Sequence, residues 1–251
     1  MPMKLPEGLL PVLNEARNVL VLTGAGMSAE SGVPTFRDAQ TGMWEKYRPE
    51  DLATPEAFHN NPQMVWDWYQ DRRENIARVH PHAGHAALVE MEKYFDSLLL
   101  VTQNVDSLHQ QAGSSDVVEL HGNIMRSICS ETHQQIDDEW IKSHPGRPPV
   151  SPHHPQGLAR PGVVWFGEAL TMGTLSQAMA AASRCDVCFS IGTSTMVQPA
   201  ASLPFVAHDA GSVVIEINPV TTSLSSLARY SLQATAAEAL VSIAAGLAEQ
   251  N

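Results

Sequence analysis

Residues 18–23, NVLVLT, form an apolar, β-rich run that stops at Gly24-Ala25-Gly26-Met27-Ser28-Ala29. Such a run, closed by glycines, reads as a strand buried on both faces. The six residues after it match G-x-G-x-x-G/A. In that pattern the glycines permit a tight turn and close backbone approach to a pyrophosphate, which the N-terminus of the next helix attracts. A strand, turn and helix of this kind belong to a parallel α/β sheet, and this constrains the fold more than any other feature of the chain.

The same alternation recurs. Residues 98–104, 117–120, 186–194 and 212–219 read as further strands, and 6–17, 83–95, 173–184 and 235–248 as helices. The expected class is α/β, with a doubly wound, mostly parallel Rossmann-like sheet formed by 1–37, 83–122 and 163–251. Ligands on such sheets bind beyond the carboxyl ends of the strands. Two segments interrupt the pattern. Residues 38–82 read as a helical insertion, in which Asn60 or Asn61 caps a helix with Pro62 in its first turn. Residues 123–162 carry little regular signal beyond a short turn near Asp138–Lys142, and hold six prolines between 145 and 161.

The chain has 251 residues, with 15 Lys and Arg against 27 Asp and Glu, a net charge of −12. That balance argues against a generally basic nucleic-acid or membrane-surface binder. Three cysteines suggest a reducing compartment. The first residues lack the pattern of a secretory signal, and no segment is long and apolar enough to span a bilayer, so a cytoplasmic location is expected.

The dinucleotide fingerprint is incomplete, because no acidic residue ends a second strand about 20 residues on. The loop instead continues as Glu30-Ser31-Gly32-Val33-Pro34-Thr35-Phe36-Arg37-Asp38. As a whole, Gly24–Asp38 resembles the signature of the sirtuins, NAD-dependent protein-lysine deacylases. TQNVDSLHQQAG (102–113), ELHG (119–122), PGVVWFGE (161–168) and GTS (192–194) agree with that family in order, across about residues 18–220.

The resemblance implies that NAD is co-substrate and that acylated lysine side chains of proteins are the partners. It assigns NAD contacts to Gly24, Ala25, Gly26, Ala29, Arg37, Gln103, Gly192, Thr193, Ser194 and Asn218. Asn104 and Asp106 would line the nicotinamide pocket, Phe36 would shield the reacting ribose carbon, and His121 would be the catalytic base. Val163, Val164, Trp165, Phe166, Gly167 and Glu168 would offer a strand edge to the substrate peptide. The implied reaction displaces nicotinamide with the acyl oxygen and ends in free lysine and O-acyl-ADP-ribose.

The residues support these roles. The i, i+2 spacing of Asn104 and Asp106 turns an amide and a carboxylate the same way where the chain is extended, although an Asx turn also explains it. His121 follows a strand end, and imidazole suits proton transfer near neutral pH. Tyr69 and Arg72 share a helical face. With Ala53, sixteen residues before Tyr69, they resemble the acyl pocket of the desuccinylase subgroup, where Arg binds a carboxylate bidentately and Tyr donates a further bond. Removal of acetyl, succinyl or malonyl groups is then expected. The alternative for Arg72 is a surface pair with Asp67 or Asp71.

Most sirtuins carry two C-x-x-C pairs that hold one structural zinc. Here Cys129 survives, Thr132 takes the second place, and Pro152 and Pro155 align with the second pair. A shortened, degenerate zinc module without zinc is therefore expected in 123–162. Cys185-x-x-Cys188 lies where a helix enters a buried strand and reads as core. The alternatives to deacylation are protein ADP-ribosyl transfer at the same site, or NAD sensing without turnover. A dehydrogenase is disfavoured by the missing acidic ribose reader.

Overall fold

The computed structural model describes residues 3–34 and 47–250, so Phe36 and Arg37 lie outside the described residues. Among the described residues nine strands follow in chain order: β1 (Asn18–Thr23), β2 (Ser97–Thr102), β3 (Val117–Glu119), β4 (Gly122–Cys129), β5 (Gln135–Ile136), β6 (Ala159–Val163), β7 (Val187–Ile191), β8 (Val213–Ile217) and β9 (Tyr230–Leu232). Six of them form a parallel sheet ordered β3-β2-β1-β7-β8-β9. The chain works outward from β1 to β3, returns to place β7 beside β1, and works outward again to β9. The direction reverses between β1 and β7, the switch point at which ligands bind in open sheets. Thr23 pairs in register with Thr102 and Ile191, and Ile191 with Ile217. The strands therefore release their loops from one layer.

Successive side chains of a strand face opposite sides, and the core divides accordingly. Val19, Val21, Leu98, Leu100, Phe189 and Ile191 pack on one face against the helices Leu9–Glu15, Ala83–Met91 and Ala236–Gln250. Leu20, Leu22, Leu99, Val101 and Cys188 pack on the other against Met172–Ala182 and Leu203–Asp209. Cys185 and Cys188 are free, buried thiols within that second layer, where a cysteine behaves as a small hydrophobe.

A smaller sheet, ordered β5-β4-β6 and antiparallel, packs with the helices of 49–76. Asn61 caps Pro62–Ile76 by accepting the Met64 N–H at 3.1 Å. Val65, Trp68, Tyr69 and Ile76 on this helix share a core with Leu52, Phe58, Ile124 and Trp165. Arg73 fastens helix to sheet. Its guanidinium donates to the carbonyls of Ile124 at 2.6 Å and Arg126 at 2.7 Å.

This corrects the expectation that 123–162 lacks regular structure. It holds most of β4, β5, the helix Asp138–Ser143 and most of β6. Pro161 and Gly162 mask β6 in the sequence. Yet β6 is an edge strand, and Pro161 sits beside the register shift between Asn123 and Ser127, where a proline costs no ladder bond. Asp137 caps the helix through the N–H groups of Glu139 and Trp140. The helix Leu203–Asp209 and strand β9 are also additions to the sequence reading.

Behind the switch point three histidine rings pack at steep angles to one another. His82 and His85 are 4.3 Å apart and His85 and His109 are 4.9 Å apart, centroid to centroid. His85 and His109 are fully buried. Burial, then the neighbouring rings, push His85 down to about 3 and His109 to about 4. Both fold as neutral imidazoles, so they contribute stability above about pH 6.5 and lose it as the pH falls towards these values. Each should cost about 2 kcal/mol at pH 5. Denaturant unfolding between pH 7 and 5 should show that loss, and His85→Gln should flatten the slope whatever its effect at pH 7.

Candidate active site

The loops after β1 and β7 meet backbone to backbone. Gly26 N–H donates to the Gly192 carbonyl at 2.8 Å, and Gly24 N–H to Ile191 at 2.9 Å. A methyl group on Gly26 would lie 2.7 Å from Gly192 Cα, and one on Gly24 would lie 2.8 Å from Gly192 O. Gly192 itself has a φ of +59°, a conformation that disfavours a side chain. Gly26, Ala29, Gly192, Ile217 and Pro219 border a cavity of about 300 Å³ at the carboxyl end of the sheet.

Polar side chains fix these loops. Thr193 Oγ1 accepts from Gln103 Nε2 at 3.1 Å, and its carbonyl accepts from Asn218 Nδ2 at 2.9 Å. Asn104 Nδ2 donates to Gly24 O at 3.0 Å and to Ser28 Oγ at 2.8 Å. Ser28 in turn donates to Asp106 Oδ2 at 2.6 Å, while Asp106 Oδ1 accepts from Leu108 N. The structure thus brings Asn104 and Asp106 together through Ser28, a residue the sequence reading passed over. Its signal was present, since it lies within the glycine fingerprint. The Asn104 amide nitrogen points inward, and among the described residues its Oδ1 receives no bond, so a carboxamide N–H can be accepted there.

His121 stands at the same end of the sheet, between β3 and β4. Gly122 follows at φ +75°, and a Cβ there would strike Gly162 O. His121 Nδ1 lies 3.0 Å from the Gln103 carbonyl. A carbonyl only accepts, so Nδ1 carries the proton and Nε2 keeps its lone pair. Burial lowers its pKa, against the opposing effect of that hydrogen bond.

The segment after β6 joins this histidine to the helical insertion. Val164 N donates to His121 O, and Phe166 N to Ala53 O, each at 2.9 Å. Trp165 N donates to Glu168 Oε2 at 2.8 Å. The N–H groups of the expected substrate edge are therefore largely engaged within the chain. Ala53 and Tyr69 are buried. Tyr69 accepts from Trp165 Nε1 at 3.0 Å, and burial raises its pKa to about 12. Arg72 lies over the Trp68 ring at 5.1 Å. Asp67, one candidate partner for Arg72, is held instead by Arg147 at 2.6 and 2.9 Å.

The module of 123–162 does not fit a four-thiolate zinc. Cys129 is buried. Burial raises its pKa, but the hydroxyls of Ser151 and Thr132 and nearby N–H groups bring it below the ordinary value. Ser151, not the aligned Pro152, therefore reaches Cys129. Three residues on, His154 packs across Gly157, where a Cβ would lie 2.6 Å from Cys129 Sγ. One thiol and two hydroxyls are a poor set for structural zinc. Among the described residues, no group of three or more His, Cys, Asp or Glu could hold a metal ion.

The Sir2 family model matches residues 24–199. An NAD-dependent protein deacylase of Aquifex aeolicus is 49% identical over 214 residues, covering 85% of this chain and 88% of that one. A crystal structure of a Sir2 homologue in complex with NAD superposes at a TM-score of 0.90 with 41% identity, over 99% of this chain and 96% of that one. A Sir2–p53 peptide–NAD+ complex superposes at 0.84 with 28% identity, over 99% and 98%. The match thus runs from the first glycine after β1 to beyond the glycine loop after β7, taking in His121 and the Asn104–Ser28–Asp106 cluster between them, and the chain belongs to the Sir2 family.

Proposed function

We propose that this chain is an NAD-dependent protein-lysine deacylase whose acyl pocket accepts acidic as well as acetyl groups. The observation that carries the reaction is the common placement of His121, the joined glycine loops and the Asn104–Ser28–Asp106 cluster at one sheet end. The relative from Aquifex aeolicus bears the same activity in its name. Bound NAD supplies a ribose carbon from which nicotinamide can leave. Gly24, Gly26 and Gly192 let the two loops meet, which brings backbone N–H groups to the end of the sheet where its phosphates can approach. Asn104, oriented by Ser28, receives the carboxamide, with Asp106 beneath. His121 Nε2 accepts a proton from a ribose hydroxyl, and its lowered pKa keeps it neutral for that task.

Acyl choice follows from Ala53, Tyr69 and Arg72. Ala53 leaves width. Burial keeps the Tyr69 proton in place, and Arg72 brings a charge that a succinyl or malonyl carboxylate can meet. Acylated lysines of proteins are the partners on this reading. Among the described residues no helix is long and apolar enough to cross a membrane.

Three outcomes are expected. His121→Ala should lower release of nicotinamide and O-acyl-ADP-ribose by roughly a hundredfold or more, read by chromatography of acetyl- and succinyl-peptide reactions; near-normal turnover would remove the base from the mechanism. Covalently ADP-ribosylated protein in place of O-acyl-ADP-ribose would favour transfer over deacylation. Arg72→Met should cost desuccinylation at least about tenfold more than deacetylation, and equal losses would remove the carboxylate contact. Metal analysis of untagged protein should return well under one zinc per chain, whereas a stoichiometric, tightly held zinc would overturn the metal-free module.

A further inference from the structure

Arg160 is almost wholly buried, and the acyl-lysine reaction gives it no role. Its guanidinium grips Glu168 with two bonds, Nη1 to Oε1 at 2.5 Å and Nη2 to Oε2 at 2.9 Å. Nη2 also donates to Val163 O at 2.9 Å. Arg160 thus holds both ends of the segment 163–168, and its guanidinium carbon lies over the Trp165 ring, 3.4 Å from the centroid. Glu168 Oε2 also takes the Trp165 backbone N–H. Ring and backbone of Trp165 are therefore both set by the Arg160–Glu168 pair.

Trp165 passes this order on. Phe58 lies 5.3 Å from its ring, and its indole N–H points at Tyr69 Oη. A hydroxyl that receives one bond keeps its own proton to give. Among the described residues no acceptor takes the Tyr69 proton. An apolar packing of similar volume would be at least as stable as a buried ion pair, so stability alone is a weak account of Arg160. A planar fork can at once bind a carboxylate bidentately and stack on an indole, and lysine cannot do both.

We propose that Arg160, paired with Glu168, is a positioning residue for acyl specificity: it fixes Trp165, whose N–H sets the direction in which Tyr69 donates to an acidic acyl group. This rests on the acyl reading given above. The test uses acetyl and succinyl peptides of one sequence and compares the ratio of their kcat/KM values. Tyr69→Phe should lower the succinyl-to-acetyl ratio roughly tenfold, the worth of one hydrogen bond to a charged group. Arg160→Lys should lower the same ratio roughly fivefold, chiefly through the KM of the succinyl peptide. Combined with Tyr69→Phe, it should lower the ratio no further, because both act through one hydroxyl. Trp165→Phe keeps a stacked ring without the N–H and should mimic Arg160→Lys, so it carries the test if that variant does not fold. A ratio unchanged in Arg160→Lys and Trp165→Phe, while Tyr69→Phe lowers it, would overturn the relay alone. So would a full additive loss in the double variant. A ratio unchanged in Tyr69→Phe would overturn the relay together with the acyl reading.

Discussion

Gly26 N–H reaches the Gly192 carbonyl at 2.8 Å, and the active end of the molecule is built on that contact. It joins the loops leaving β1 and β7 at the point where the sheet reverses direction. A side chain on any of Gly24, Gly26 or Gly192 would push the loops apart. Gln103, Asn104 and Asn218 then reach atoms of the joined loops: the Thr193 hydroxyl, the Gly24 and Thr193 carbonyls, and Ser28. The polar groups therefore depend on the glycines for their distances, and the glycines depend on the common register of the strands that bring them together.

How far this was readable from sequence differs between the two sheets, for a physical reason. The strands β1, β2, β7 and β8 are covered on both faces by helices, so nearly all their residues are apolar and they stand out as runs. The smaller sheet lacks that cover. In β4 the burial alternates irregularly, and in β6 Pro161 and Gly162 look like breakers, although an edge strand next to a register shift tolerates both. Strand β9 has three residues, too few for a periodic signal.

The site divides in the same way. Glycines, His121 and the Asn104–Asp106 spacing were legible because their chemistry depends on residue type and nearby sequence. Ser28 lies within the glycine fingerprint, but its part was not readable there, because it comes from Asp106, seventy-eight residues on. The cysteine count was legible too, but the neighbours of Cys129 were not. Alignment put Pro152 and Pro155 at the old ligand places, whereas the fold brings Ser151 to the thiol. Hydroxyls can approach a thiol from positions that would not complete a metal's tetrahedron, so the register of a ligand motif does not predict them.

The two arginines near Tyr69 show what burial does to charge. Arg160 meets Glu168 inside the chain, so its charge is answered there and its effect on a substrate passes through the groups it orients. Arg72 lies one turn from Tyr69, and burial lowers its pKa while raising that of the phenol. The opposite signs have one cause, because a dry environment opposes charge on either group. The outcome is still complementary. Arginine stays protonated in proteins, and the phenol becomes harder to ionise, so the pocket presents a cation beside a neutral donor. On the acyl reading proposed above, a tail that ends in a carboxylate can meet both.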